Sequence, residues 1–190
     1  MAKVFVFTAP SGAGKSSLAN ESIKRLNPDY NISRTTTYTT RSPRENEING
    51  KDYHFISVED FKQKQKNNFF LETTEYRGCF YGSPISIISD LELGKSFIIV
   101  TDIDGSKNIS KLIKKPVLIW ITTPTIEKLK ERLIKRGNFT HHQLEESLKQ
   151  AVEEIKEAHK SRLFDYNVVN DVFEDTVEQL ISLIKEELEK

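Results

Sequence analysis

Hydrophobic positions along the chain follow two periods. Unbroken apolar runs at Val4–Phe7, Phe97–Val100 and Val117–Ile121 have the length and β-branched content of strands buried on both faces, as in a parallel sheet. Elsewhere apolar residues recur every three or four positions, which predicts amphipathic helices. One contains Leu18, Ile23 and Leu26 and stops at Asn27-Pro28; a second, opened by Pro124, contains Ile126, Leu129, Leu133 and Ile134. A highly charged helix over about 143–160 carries Leu144, Leu148, Ala151, Val152 and Ile155, and a last one carries Phe173, Val177, Leu180, Ile181, Ile184 and Leu188. Residues 30–40 read as one hydroxyl-rich strand, 57–67 as a helix capped by Ser57, and 69–72 and 76–83 as short strands about a glycine turn. Residues 84–93 predict a helix begun by Pro84, 96–104 a strand ending in Asp102 and Asp104, and 166–171 a last short strand. Trp120 reads as core.

Strands alternating with helices predict an α/β fold, a parallel sheet flanked by helices. At 190 residues the chain has the length of one domain with room for insertions. Lys plus Arg and Asp plus Glu are both 28, so no overall field draws the protein to nucleic acid or an anionic membrane. The single cysteine, Cys79, excludes an intrachain disulfide and suits a reducing compartment. No apolar run approaches the ~20 residues that span a bilayer, and Met-Ala-Lys-Val enters strand pattern at once, with no signal peptide. The expectation is a cytoplasmic protein.

Between the first strand and the first helix lies Ala9-Pro10-Ser11-Gly12-Ala13-Gly14-Lys15-Ser16-Ser17. Strand, glycine turn, Lys-Ser and helix are the order of a phosphate-binding P-loop. Small residues at Gly12, Ala13 and Gly14 let backbone N–H groups from Ser11 to Ser17 curl around an anion at the helix N-terminus, and Lys15 brings a mobile charge to the outer phosphates. Ser16 is placed to coordinate Mg²⁺. The full motif asks for glycine where this chain has Ala9.

Arg41-Ser42-Pro43-Arg44 offers two guanidinium groups about a stiff turn, a geometry that clamps phosphate bidentately; on spacing alone two solvated loop arginines fit as well. Thr39-Thr40-Arg41-Ser42-Pro43-Arg44, Asn49-Gly50-Lys51-Asp52-Tyr53, Phe70-Leu71-Glu72 and Phe80-Tyr81-Gly82-Ser83, with the P-loop and in this order, resemble the guanylate kinase family over nearly the whole chain. Bacterial members of that family often begin the loop Ala-Pro-Ser-Gly, which accounts for Ala9. The resemblance implies a P-loop NTPase core (1–35 and 88–190), a mixed α/β NMP-binding insertion (36–87) and a short lid at about 136–148. It further implies that Arg41, Arg44, Tyr53 and Tyr81 bind the phosphate of GMP, and that Thr37, Glu72 and Ser83 address guanine. The family usually has serine at the position of Thr37. A carboxylate at 72 would accept from guanine's ring N–H and exocyclic amine and so reject adenine; taken alone it reads as a surface glutamate at a strand end.

Asp102 stands where an acid of P-loop enzymes holds Mg²⁺, and by resemblance Asp104 lies toward GMP and Asn170 toward the adenine of ATP. Without a P-loop the acid pair reads as a strand-end turn. The family commonly continues the acid pair with a bulky residue and Gln-Gly, where this chain has Gly105-Ser106-Lys107. Arg132 and Arg136 share a helix face, at the place where the family's lid arginines neutralise the transferring phosphoryl; a solvated helix end is the plainer reading of both. A further lid arginine of the family falls on Ser147, with Lys149 a poor substitute on another helical face. His141 and His142 read as polar lid residues. The implied reaction is reversible phosphoryl transfer from ATP to GMP, and to dGMP, with Mg²⁺, by a monomer or small homo-oligomer in purine nucleotide metabolism. Two rivals are a P-loop kinase for another small acceptor and a non-catalytic phosphopeptide-binding module.

Overall fold

The computed structural model describes residues 2–27, 29–137 and 140–190. Strand β1 (Val4–Thr8) is buried at every position and divides the core between its two faces, because side chains alternate along a strand. Phe5 and Phe7 pack with Leu18, Leu129, Leu133, Val177 and Leu180 on one face. Val4 and Val6 pack with Phe97, Ile99, Ile109 and Leu118 on the other.

Helix α1 (Lys15–Leu26) follows β1, with Asn27 as its C-cap; Pro28, the other half of the expected stop, lies outside the described residues. Strand β2 (Ile32–Arg34) then joins the sheet of β1. The single strand expected over 30–40 is therefore two: after Thr35, whose N–H still donates to Ile98 O at 3.0 Å, the chain leaves this sheet. Strand β3 (Tyr38–Thr39) belongs to a second one, with β4 (His54–Phe55), β5 (Phe70–Tyr76) and β6 (Cys79–Pro84) in the order β4-β3-β6-β5. Helix α2 (Val58–Lys66), capped by Ser57, inserts the fully buried Phe61 against this sheet, stacked on Phe70 and Phe80 at 4.5 and 5.5 Å.

Helix α3 (Ile87–Glu92) starts later than expected because Pro84 ends β6 instead of opening the helix. Strand β7 (Ser96–Thr101) stops short of the acids; Asp102 caps α4 (Ile103–Leu112), a helix that the apolar pattern leaves unmarked. Strand β8 (Val117–Thr122), α5 (Ile126–Arg136), α6 (His141–Ser161), β9 (Tyr166–Val169) and α7 (Phe173–Glu189) complete the chain. Trp120 is fully buried beside Phe164. The main sheet, β2-β7-β1-β8-β9, is parallel throughout. Its central strand thus delivers the glycine loop, and its neighbour β7 delivers Asp102, at the carboxyl edge where α/β sheets bind ligands. Among the described residues no helix is long and apolar enough to cross a membrane.

Candidate active site

A cavity of about 700 Å³ opens above that edge. One end is the glycine loop. Gly12 and Gly14 both take left-handed backbone, φ 93° and 96°, which side chains rarely adopt. Space forbids a side chain as well: a Cβ on Gly12 would meet Leu133 at 2.9 Å, and one on Gly14 would meet Asn170 Nδ2 at 2.6 Å. Gly14 is also the N-cap of α1, so Lys15, Ser16 and Ser17 occupy the first turn, beside unpaired helix N–H groups. Ser11, Gly12, Gly14, Lys15, Ser16 and Ser17 line the cavity, whereas Ala13 is buried behind them.

Lys15 donates to Ala9 O at 3.1 Å. Burial pushes its ammonium down to about 8, with Arg136 and Arg44 acting in the same sense and Glu154 and Asp102 opposing them. Asp102 accepts from Gly105 N–H at 2.8 Å and from the Thr74 hydroxyl at 3.1 Å, and burial raises its carboxyl above the usual range. Thr74 belongs to β5, so this bond ties the second sheet to the edge of the first.

At the other end stand Thr37, Glu72, Arg41, Arg44, Tyr53 and Tyr81. Glu72 is only 7% exposed. Its Oε1 accepts from Ser83 Oγ at 2.7 Å, while its Oε2 is buried with no partner among the described residues. Burial pushes this carboxyl up to about 7, against the pull of the Ser83 hydrogen bond. Ser83 itself is fully buried behind Glu72 and does not reach the cavity.

Arg41 is partly buried and Arg44 is exposed, and one carboxylate holds both. Both donate to the carboxylate of Glu47, Arg41 Nη2 at 2.9 Å and Arg44 Nη1 at 3.0 Å, and Glu47 also accepts from Arg44 N at 2.8 Å. The Arg41 guanidinium lies 5.4 Å from the Tyr53 ring centre, a cation–π distance. Two arginines converging on one three-atom anion have the geometry of a phosphate clamp. Nothing in the sequence singles out Glu47, which reads there as one more polar residue of a turn.

Arg132 and Arg136 close the cavity from α5. Arg132 Nη2 donates to Asn170 O at 2.8 Å and Asp171 O at 3.2 Å. Arg136 is pushed down to about 10, by burial first and then by Arg44, with Glu47 opposing; among the described residues it makes no ion pair. The expected lid of about 136–148 includes Asn138 and Phe139, which lie outside the described residues; its later part is the start of α6, capped by Thr140 and Gln143.

Besides Ala13 and Ser83, further expected residues stand away from the cavity's lining. Asp104 lies in the first turn of α4, exposed and paired with Lys107 at 2.9 Å. Asn170 is buried and donates to Ala13 O at 2.7 Å, so it braces the glycine loop from below. Ser147, at the position of the family's further lid arginine, is buried and accepts from Arg77 Nη1 at 2.9 Å, while Lys149 is exposed on α6. His141 and His142 are exposed, near Glu145 and Glu146 at 3.5 and 3.6 Å.

One cavity thus joins a glycine loop at a helix N-terminus, two arginines converging on one carboxylate, and a buried carboxylate oxygen, Glu72 Oε2, without a partner among the described residues. The sequence and fold comparisons agree with it. The family model described as "Guanylate kinase" matches residues 1–187. The guanylate kinase of Clostridium tetani is 40% identical over 97% of this chain and 86% of its own, and one from Thermus thermophilus is 34% identical over 97% and 81%. The crystal structure of guanylate kinase from Anaplasma phagocytophilum superposes with a TM-score of 0.80 at 27% identity, covering 100% of this chain and 87% of that one. The chain belongs to the guanylate kinase family.

Proposed function

We propose that the protein transfers the γ-phosphoryl group of ATP to GMP, giving ADP and GDP, reversibly. A phosphate oxygen of GMP attacks the γ-phosphorus, the bond from that phosphorus to the β–γ bridging oxygen breaks, and ADP leaves with the electron pair. Little covalent work falls to the protein; positioning and charge neutralisation carry the rate. Lys15 and the loop N–H groups hold the ATP phosphates, with Arg132 and Arg136 lowering the cost of charge on the transferring group. Arg41 and Arg44 exchange Glu47 for the GMP phosphate, with Tyr53 and Tyr81 lining the same end. Residues 36–87 form the unit that binds GMP, and 136–148 the lid whose closure excludes water, so that water is not phosphorylated instead.

Guanine is read at Glu72. Its unpaired buried Oε2 supports this reading above all, because a desolvated acceptor without a donor is costly unless a ligand supplies one. Guanine's N1–H and exocyclic amine are two adjacent donors; adenine offers an acceptor at the matching ring position. Ser83 keeps the carboxylate oriented, and Thr37 adds a hydroxyl at the same end.

Ser16 and Asp102 fit Mg²⁺: both present hard oxygen donors to the cavity, and Gly105 and Thr74 fix the Asp102 carboxylate. Mg²⁺ held by Ser16 and Asp102 would neutralise part of the charge on the phosphates of ATP. The single cysteine is consistent with a cytoplasmic protein of purine nucleotide metabolism. The intact Lys15 loop weighs against a purely peptide-binding role.

ADP formation measured with GMP, dGMP, AMP and UMP as acceptors tests the reading. Transfer to GMP with a preference over AMP of at least ~10³ in kcat/KM is expected from a site built around guanine donors. A preference for AMP would remove the role of Glu72, and no ADP with any acceptor would remove the reaction.

A further inference from the structure

Arg77 takes no part in the reaction proposed above, yet its side chain reaches the same cavity. It sits in the two-residue turn between β5 and β6, where Arg77 and Gly78 both have positive φ, 54° and 69°. Such a turn favours asparagine or glycine, so nothing in the backbone asks for an arginine. The side chain is nevertheless held in place. Nε donates to Gln150 Oε1 at 2.8 Å and Nη1 to Ser147 Oγ at 2.9 Å, and the Ser147 hydroxyl in turn donates a hydrogen bond to Gln143 O at 2.6 Å. Ser147 and Gln150 are three residues apart on α6 and so present their acceptors on one face. The Tyr76 ring lies beneath the guanidinium at 5.3 Å.

Both anchors are neutral. Among the described residues Arg77 has no carboxylate within ion-pairing distance; the acid nearest in effect is Glu154, which is also drawn to Lys15 and Tyr76. Arg41 and Arg44, by contrast, share Glu47. Arg77, exposed on one side, thus brings a positive charge to the cavity wall, oriented by two hydrogen bonds through Nε and Nη1 that leave Nη2 available to a ligand. The turn lies beyond Thr74, whose hydroxyl bonds Asp102 at the edge of the main sheet, and at the opposite end of the β5–β6 hairpin from the Glu72–Ser83 pair, so this charge stands toward the glycine-loop end of the cavity.

We propose that Arg77 is a further phosphate-contacting catalytic residue: it touches the polyphosphate running between the two nucleotides, from the β5–β6 turn, with Ser147 and Gln150 as its positioning residues. The inference rests on the reaction proposed above. It gives the buried Ser147 a role, since a small hydroxyl at that place leaves room for a guanidinium arriving from another element.

Calorimetric titration with a bisubstrate, adenosine and guanosine joined through five phosphates, run beside steady-state turnover of the full chain, tests it. Arg77→Gln keeps a polar side chain, though a shorter one, and removes the charge. It is expected to bind the bisubstrate ~30-fold more weakly and to lower kcat ~100-fold, with GMP alone binding within about threefold of wild type. Arg77→Lys retains charge without the fork and should lose about tenfold in kcat; it carries the test if Arg77→Gln does not fold. Ser147→Ala should lower kcat less than either, about threefold, since the Gln150 anchor remains. A merely structural role would instead lower thermal stability and GMP affinity together. Bisubstrate affinity and kcat within about threefold of wild type in Arg77→Gln, or in Arg77→Lys if that variant alone folds, would overturn the proposal. A wild-type protein that transfers nothing to GMP would sink the reaction instead, while the affinity comparison would still decide whether Arg77 touches the polyphosphate.

Discussion

Replacing Glu72 by glutamine should make the protein more stable and worse at binding GMP at the same time. Burial lifts the carboxyl from its ordinary 4.5 to about 7. Between these values the folded protein holds the proton more tightly than the unfolded chain, so stability falls as pH rises through the window. By pH 8 the ionised carboxylate costs the fold about 3 kcal/mol, and at pH 5 less than about 1 kcal/mol. Glutamine removes the charge and keeps an oxygen for the Ser83 hydroxyl. Its amide N–H groups then occupy the place of Oε2, which has no partner among the described residues, at a cost of about 1–2 kcal/mol. The balance is a gain of about 1–2 kcal/mol at pH 8, or ~3–6 °C in Tm for a chain of this size, and no gain at pH 5. GMP binding should weaken by ~10²–10³, because a donor would face guanine's donors where a charged acceptor stood. Thermal unfolding at pH 5 and 8, with calorimetric titration of GMP and ATP, checks both halves. Lower stability than wild type at pH 8 together with GMP affinity within about tenfold would refute the reasoning, and so would an equal loss for ATP.

The wild-type affinity for GMP should fall below about pH 7 as Glu72 takes up its proton. The nucleotide's own phosphate titrates near this range, so the diagnostic is the difference between wild type and Glu72→Gln across a pH series. Asp102→Asn keeps an N-cap for α4 and should leave Tm within ~2 °C; it should raise the Mg²⁺ concentration for half-maximal turnover ~10-fold, read from a metal titration. Gly105→Ala should destabilise by about 2–3 kcal/mol, seen in denaturant unfolding. An added Cβ would collide with Thr101 Oγ1 and stand 3.0 Å from its Cβ and 3.1 Å from its Cγ2, so rotating that side chain gives no relief.

The core of this fold is legible in the sequence because parallel strands buried on both faces need unbroken apolar runs, and β1, β7 and β8 have them. The stretch 30–40 reads as one strand because uniform β propensity carries no mark of where a chain passes from one sheet to another; that handover follows Thr35. Helix α4 escapes the pattern because Gly105, Ser106 and Asn108 are poor helix formers. Tertiary packing overrides them: Ser106 is fully buried and its hydroxyl meets that of Thr8, under the glycine loop. At the site, motifs mark the groups that lie close together in sequence, such as Gly12 to Ser17 and Arg41 with Arg44. They cannot mark pairs made only by folding. Glu47 turning back on both arginines, Thr74 reaching Asp102 and Arg77 reaching Ser147 each depend on a side-chain direction fixed by the tertiary arrangement. The same holds for Asn170, whose side chain braces Ala13, and for Asp104, whose place on α4 turns it to Lys107.

Phosphorus NMR of the purified protein with Mg²⁺, ATP and GMP tests the account at its centre, the joining of two phosphate sites in one cavity. ADP and GDP should grow in equal amounts without free phosphate, and ADP mixed with GDP should return ATP and GMP. Release of inorganic phosphate with no GDP, or GMP left unchanged while ATP is consumed, would contradict it.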